Sequence, residues 1–274
     1  MERKQHFFWT HFAFSAILVA ILLLLFYIAK FLPPEASASD NVRGDRQTVS
    51  ALSPSLLSPT EDLGEDYIKN IIFLGESTTY GLWHYGVLPG GKNTTGVWTG
   101  ATVQNGGICC AGTLSLSPTV SHTKLFYPDT GEALTVSEAL LRKQPKHLVI
   151  TLGLNNGASY YTEDEFKQCY RTLLNTVISS SKDTCVLLQS IFPVAKSCKI
   201  QAYTPERIRL CNSWVLDIAE EYGLGFLDTF SALSDAEGYL KAEYDNGGDG
   251  IHLNREGLLA VLHYVRTHGY TEEA

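Results

Sequence analysis

The feature that most constrains the fold is an alternation, from residue 65 onward, of short apolar runs with longer amphipathic stretches. The short runs are typical of buried β-strands and lie at residues 71–74, 147–152, 185–190 and 225–228, with a weaker fifth at 101–104. The longer stretches predict helices over 136–142, 163–180, 205–222 and 254–267, the last with Asn254 as its N-cap. Strands separated by helices predict an α/β domain with about five mostly parallel strands, covered by helices on both faces.

Polar side chains follow the strands at three places along the chain. Ser77 comes shortly after the first run, Asn155 shortly after the run at 147–152, and Asp249 and His252 just before the last helix. Ligand sites in parallel sheets lie at the carboxyl ends of the strands, so we expect these side chains to meet. A serine nucleophile needs a base, imidazole suits that task, and a carboxylate holds the imidazole in the required tautomer. The pattern therefore predicts acyl transfer.

Three short blocks of this sequence resemble blocks I, III and V of the SGNH (GDSL-type) hydrolases. They are Gly75-Glu76-Ser77, Gly153-Leu154-Asn155 and Asp249-Gly250-Ile251-His252, and they occur in the family's order. The resemblance covers residues 68–270. It implies that Ser77 is the nucleophile, His252 the base and Asp249 the acid that orients it. It also implies an oxyanion hole formed by the Ser77 backbone N–H, the Asn155 side-chain amide and a glycine N–H.

The glycine of the oxyanion hole has two candidates in this chain. Residues 105–107 read Asn-Gly-Gly and fit the family's second block best, which favours Gly107. Gly112, followed by Thr113 and Leu114, is the alternative. Both remain open at the level of sequence.

Two residues depart from the family's pattern. Glu76 replaces the usual aspartate before the serine, and Asn156 replaces the usual aspartate after the amide. Both changes spare the four chemical roles. We expect them to affect the anchoring of loops or the fit of the substrate more than the chemistry.

The N-terminal part of the chain predicts a membrane anchor. Residues 7–29 form a run of 23 residues without formal charge. A helix of that length spans roughly 35 Å, enough to cross the hydrocarbon core of a bilayer. Arg3 and Lys4 precede the run and predict a cytoplasmic N-terminus, although Lys30 on the far side reduces this bias. The following domain is therefore expected on the extracytoplasmic side of the cell membrane.

A cleaved secretory signal is the rival interpretation of the same segment. Ala36-Ser37-Ala38 matches a small-x-small cleavage site, but the apolar run is longer than a usual signal core. Cleavage would make the protein secreted, and both interpretations export the domain. The resulting organisation is an anchor at 1–30, a flexible linker at 31–64 rich in Ser, Pro and Ala, and a catalytic domain at 65–274.

Several other functions are disfavoured by composition and motifs. The net charge of −8 opposes binding to nucleic acid. Residues 86–93 almost match a phosphate-binding loop, but Asn93 stands where Ser or Thr is needed, so nucleotide binding is disfavoured. Residues 245–249 only partly resemble a calcium loop. The sequence implies no metal and no organic cofactor.

The cysteines and the loop aromatic residues leave alternatives open. Six cysteines are too few for a disulfide scaffold, although Cys198 and Cys211 could bridge outside a cell. Five aromatic or imidazole side chains lie in the segments around the candidate site and could either bind sugar rings or fill the core: Trp83, His84, Tyr85, Trp98 and Tyr127.

We expect a flavodoxin-like three-layer α/β/α sandwich that hydrolyses carboxylic esters through Ser77, His252 and Asp249. The expected substrates are acyl esters, with O-acetyl groups of a cell-surface or extracellular polysaccharide as the favoured class. An O-acetyltransferase that uses the same triad is the alternative within enzymes. A non-catalytic glycan-binding surface protein on the same fold is the alternative outside them.

Overall fold

The computed structural model of the protein describes residues 53–110 and 112–270. The predicted membrane helix at 7–29, and the predicted linker as far as residue 52, lie outside the described residues. Among the residues that are described, no helix is long enough and apolar enough to cross a bilayer.

A five-stranded parallel sheet lies at the centre of the described part of the chain, with its strands in the spatial order Val97–Trp98, Ile71–Gly75, His147–Thr151, Cys185–Gln189 and Gly225–Leu227. The strands in chain order are β1 (Ile71–Gly75), β2 (Val97–Trp98), β3 (Ala101–Gln104), β4 (Gly107–Cys110), β5 (Leu125–Tyr127), β6 (Glu132–Leu134), β7 (His147–Thr151), β8 (Cys185–Gln189) and β9 (Gly225–Leu227). Gly75 at the end of β1 pairs with Thr151 at the end of β7, so the segments that follow both strands begin at the same edge.

The helices in chain order are α1 (Gly64–Lys69), α2 (Ser77–His84), α3 (Val136–Lys143), α4 (Glu163–Ser180), α5 (Pro205–Tyr222), α6 (Thr229–Leu233) and α7 (Arg255–Thr267). The four predicted helices are confirmed as α3, α4, α5 and α7. Asn254 caps α7 as predicted, because its side chain accepts the Gly257 N–H at 2.9 Å. Helix α2 was not predicted, since two threonines and a glycine lower the helix propensity of its sequence.

Two hydrophobic clusters lie on opposite faces of the central sheet. Ile72 and Leu74 of β1 belong to one cluster, which also contains residues of three helices: Leu140 of α3, Leu173 of α4 and Val215 of α5. Ile71 and Phe73 belong to the other, with Ile68 of α1, Leu258 and Val261 of α7. Successive residues of a strand point to opposite faces, so one strand contributes to both layers. The predicted three-layer α/β/α arrangement is confirmed.

The strand predicted at 101–104 exists but does not belong to the central sheet. It is β3, which forms an antiparallel hairpin with β4, and Val103 at its centre is 74% exposed. The edge of the sheet is formed instead by β2, whose two buried residues pair with Phe73 and Leu74. A strand of two residues shows no period in the sequence, which is why the longer run at 101–104 was assigned to the sheet.

The packed part of the chain begins earlier than residue 65. The Phe226 N–H in β9 donates to the Ser55 carbonyl at 2.7 Å, and the Leu57 N–H donates to the Phe226 carbonyl at 3.0 Å. The Thr60 N–H donates to the Thr267 carbonyl at the end of α7. Residues 53–64 therefore lie against the domain, although the sequence assigned them to the linker.

The six cysteines all lie within the described residues, and no disulfide joins any two of them. The bridge considered between Cys198 and Cys211 is therefore not formed in the structure. Cys211 is fully buried in α5, and this burial raises the pKa of its thiol to about 11.

Candidate active site

Ser77 is the first residue of α2 and lies at the carboxyl edge of the sheet. The turn between β1 and α2 is tight: a Cβ atom added to Gly75 would lie 2.1 Å from Thr79 Oγ1 and 2.6 Å from the Thr151 carbonyl oxygen. Only glycine fits there. Glu76 is the N-cap of α2, so Ser77 does not serve as the helix cap. The Ser77 N–H belongs to the first turn, where backbone donors lack partners within the helix and can bind an anion.

The Glu76 carboxyl joins the two turns that carry Ser77 and Asn155. Its side chain is buried, with 1% of the residue exposed, and its two oxygens accept the N–H groups of Leu154 at 2.8 Å and Asn155 at 2.9 Å. Burial raises the pKa of Glu76 to about 8, against the opposing effect of the backbone donors at Asn155, Leu154 and Gly153. The residue that departs from the family's aspartate thus connects the nucleophile's turn to the amide's turn.

The turn after β7 has an unusual backbone. Gly153 has φ +119°, and a Cβ there would lie 2.8 Å from the Phe166 ring. Asn155 is extended, with φ −69° and ψ 131°, while Asn156 has φ +64° and its side-chain amide donates to the Leu116 carbonyl at 3.2 Å. The Asn155 side chain is partly exposed and makes no hydrogen bond within the described residues. An amide without a partner is suited to bind an oxyanion.

Asp249 and His252 form a hydrogen-bonded pair in the loop before α7. The distance from Asp249 Oδ2 to His252 Nδ1 is 2.6 Å, and Asp249 Oδ1 accepts the N–H groups of Ile251 at 2.8 Å and His252 at 3.0 Å. Partial burial raises the pKa of Asp249, but the two backbone donors and the imidazole outweigh it, so the pKa lies below its ordinary value. The carboxylate therefore stays ionised and holds the ring by Nδ1, which leaves Nε2 for chemistry.

This loop is fixed by backbone contacts with a neighbouring segment. Gly250 has φ +71° and its carbonyl accepts the Ala195 N–H at 2.8 Å. A Cβ at Gly250 would lie 2.5 Å from the Cys198 backbone nitrogen. The close approach holds the acid and the base in place relative to the sheet.

Ser77 and His252 line the same pocket, which has a volume of about 230 Å³. Among the hydrogen bonds of the described residues, none joins Ser77 Oγ to the imidazole. The two side chains nevertheless face one common pocket. The structure therefore brings together the serine and the acid–imidazole pair that the sequence predicted.

Gly112, and not Gly107, lies against Ser77. A Cβ at Gly112 would be 3.1 Å from Ser77 Cα, whereas a Cβ at Gly107 would meet only the Gln104 carbonyl oxygen at 3.8 Å. Gly107 begins β4 in the exposed hairpin, and the Asn-Gly-Gly pattern that favoured it belongs to the hairpin turn. The Gly112 N–H donates to Thr99 Oγ1 at 3.3 Å, a long bond.

The aromatic residues considered at the level of sequence separate into two groups. Trp98 and Tyr127 are core residues, 0% and 4% exposed, with ring centroids 5.8 Å apart. Trp83 is also on the core side, partly buried against one hydrophobic cluster, and its indole N–H donates to the Lys92 carbonyl at 3.0 Å. His84 and Tyr85 line the pocket beside Ser77. Tyr80 also lines it and was missed, although its i+3 spacing from Ser77 would have indicated it once α2 was assigned.

Within the described residues, no group of three or more His, Cys, Asp or Glu side chains is arranged to hold a metal ion.

The model of the GDSL-like lipase/acylhydrolase family matches residues 73–258. The chain belongs to this family. The match includes Ser77, Asn155, Asp249 and His252, and it makes the chain a serine ester hydrolase. A comparison with curated proteins gave no match.

Three solved structures illustrate what this chain is similar to. A protein named as an acylhydrolase from Bacteroides fragilis is 18% identical with a TM-score of 0.50, covering 81% of this chain and 94% of its own. A GDSL-like lipase from Bacteroides thetaiotaomicron is 17% identical with a TM-score of 0.46, covering 80% and 93%. A carbohydrate esterase family 3 protein from Talaromyces cellulolyticus is 15% identical with a TM-score of 0.45, covering 72% and 93%. At 18% identity, the likeness to the Bacteroides fragilis structure speaks for the fold alone.

Replacing Glu76 by Gln tests the buried carboxyl of this family member. Because the pKa of Glu76 is raised from 4.5 to about 8, the folded protein holds a proton that the unfolded chain releases between these values. The stabilising contribution of protonated Glu76 to the free energy of unfolding should therefore be complete below pH 4.5, and it should be lost as the pH rises towards 8. This loss is at most about 1.4 kcal/mol per pH unit, and Glu76→Gln should lack it. Urea unfolding at pH 5 and pH 8 measures the difference.

The matched control for this prediction is Glu220→Gln, which removes an exposed carboxyl on α5 and should keep the wild-type pH dependence. Equal pH dependence in wild type and Glu76→Gln would contradict the assigned proton.

Replacing Gly112 by Ala tests the glycine beside the nucleophile. The added methyl group would press on Ser77 and Tyr80, at a backbone φ of +64° that disfavours alanine. We expect kcat for a small ester to fall by about tenfold to a hundredfold, since small displacements of a nucleophile are costly. Gly107→Ala is the matched control and should retain the wild-type kcat. Similar losses of kcat in the two variants would contradict a role for the contact between Gly112 and Ser77.

Proposed function

We propose that this protein hydrolyses carboxylic esters through a Ser77–His252–Asp249 triad. One observation carries the proposal: Ser77 and His252 line one pocket at the carboxyl edge of the sheet, and the His252 ring is hydrogen-bonded to Asp249.

In the proposed reaction Ser77 Oγ attacks the ester carbonyl while His252 Nε2 takes its proton. The tetrahedral intermediate collapses, the bond to the alcohol oxygen breaks, and the imidazolium gives that oxygen the proton. Water then attacks the acyl-serine with His252 again as the base, which releases the carboxylic acid and restores Ser77. Asp249 holds the ring and stabilises its positive charge throughout.

The oxyanion of each tetrahedral intermediate would be bound by three donors. The Ser77 N–H lies in the first turn of α2, and the Asn155 side-chain amide has no competing partner among the described residues. The third donor is the Gly112 N–H, which would exchange its long bond to Thr99 for the oxyanion. Removing one donor of this type typically costs a factor of about 10² to 10³ in kcat.

The proposed substrates are small acyl esters, with O-acetyl groups on a polysaccharide as the favoured class. A pocket of about 230 Å³ beside Ser77 is smaller than the 300–1,000 Å³ typical of drug-sized ligands, so it suits a compact ester. The proposed location is the extracytoplasmic side of the cell membrane, reached through the apolar segment at 7–29.

A fluorophosphonate probe tests the triad. We expect a covalent adduct on Ser77 in the wild-type protein, located by mass spectrometry of the digested chain. The His252→Ala variant should lose the adduct because no base remains to activate the hydroxyl. His263→Ala removes another histidine, 65% exposed on α7, and should label like the wild type. An adduct on another residue, or labelling that survives His252→Ala, would contradict the assignment.

Protease treatment of intact cells tests the location. In bacteria that express the full chain, added protease should digest the domain without lysis. Deletion of residues 1–30 should make the domain resistant until the cells are broken, since the apolar run is then missing. A full chain that is resistant in intact cells would rule out the proposed orientation.

A further inference from the structure

One side of the pocket that contains Ser77 and His252 is lined by aromatic and imidazole rings. Tyr80, His84 and Tyr85 line it, together with Asn246 from the loop that carries Asp249. The rings pack against each other: Tyr80 and His84 have centroids 6.0 Å apart, and His84 and Tyr85 are 4.9 Å apart and nearly perpendicular. They come from one face and the end of α2, which begins at the nucleophile itself.

The position of these rings identifies which half of an ester they would contact. His252 delivers its proton to the oxygen of the leaving alcohol, so the alcohol must lie on the His252 side of Ser77. The ring-lined pocket contains His252 and Ser77 but neither Asn155 nor Gly112, the candidate oxyanion donors. The pocket is therefore on the alcohol side of the reacting carbonyl.

The chemistry of the lining favours an uncharged ring with hydroxyl groups. The lining residues include no lysine, arginine, aspartate or glutamate, so nothing there pairs with a charged alcohol. The Tyr80 hydroxyl makes no hydrogen bond within the described residues, and Asn246 uses only its Oδ1, which accepts the Gly248 N–H at 2.8 Å. A sugar ring offers C–H groups to aromatic faces and hydroxyl groups to such polar atoms.

The size and openness of the pocket limit the occupant to a short unit. A volume of about 230 Å³ suits one sugar ring, and His84 at its rim is exposed. The remainder of a chain would extend into solvent. A long lipid alcohol would need a continuous apolar groove, whereas this lining mixes Asn246, Thr78 and Ser77 with the rings.

We propose that Tyr80, His84, Tyr85 and Asn246 form the subsite for the alcohol half of the ester, and that this subsite selects a single acylated sugar unit. The proposal rests on the esterase function proposed above and names the residues that recognise its substrate. The rings contact the sugar face, and the Tyr80 hydroxyl and the Asn246 amide bind its hydroxyl groups.

The test compares two acetate esters that differ in the alcohol, an O-acetylated methyl xyloside and ethyl acetate. Selectivity is the ratio of kcat/KM for the sugar acetate to kcat/KM for ethyl acetate. His84→Ala removes an exposed ring, and Tyr80→Phe removes only a hydroxyl group, so neither change should prevent folding. We expect each variant to lower the selectivity, His84→Ala by about tenfold and Tyr80→Phe by about fivefold, mainly through KM for the sugar acetate.

The matched control is Tyr270→Leu. This residue is 41% exposed and follows the C-terminal end of α7, whereas His252 precedes its N-terminal end, so the selectivity should stay at the wild-type value. Unchanged selectivity in both pocket variants, or an equal loss on both esters, overturns the subsite while the esterase function stands. A wild-type protein that hydrolyses neither ester and takes no fluorophosphonate overturns the function itself.

Discussion

The site depends on one buried carboxyl group. Glu76 lies between the strand that leads to the nucleophile and the turn that carries Asn155, and its two oxygens accept two consecutive backbone N–H groups of that turn. A buried polar group is costly unless it is hydrogen-bonded, so this pairing fixes the separation of the two turns closely. The pairing of Gly75 with Thr151 in neighbouring strands brings the turns together, and the carboxyl then joins their tips.

Much of the fold follows from patterns that are local in sequence. Helices α4 and α5 begin and end at the predicted residues, because each starts at a threonine cap and has a strong apolar period. The weak strand predicted at 101–104 is β3, which lies outside the central sheet, because its sequence looks the same whether its partner lies in the core or in solvent. The true edge strand, β2, has two residues and carries no pattern of its own.

In the candidate site too, local sequence patterns predict some residues, whereas others depend on contacts across the fold. Ser77, Asn155, Asp249 and His252 were predictable because each follows a strand or precedes a helix that the sequence marks. Gly112 was not distinguishable from Gly107, since what separates them is a contact with Ser77 across the fold. The link through Glu76 was hidden for the same reason: a residue next to the nucleophile in sequence makes its bonds to a turn far along the chain. The rings that line the pocket could not be grouped from the sequence, because they come together on α2, a helix whose composition argues against helix formation.

The distribution of the site along the chain has a consequence for biosynthesis. Ser77 follows the first strand of the sheet, whereas His252 and Asp249 precede the final helix, which packs on the face formed by Ile71 and Phe73. In the proposed mechanism, a ribosome-bound chain therefore contains Ser77 long before it contains the base. Under that mechanism hydrolysis begins only after α7 has been made and docked, and C-terminally truncated chains are inactive.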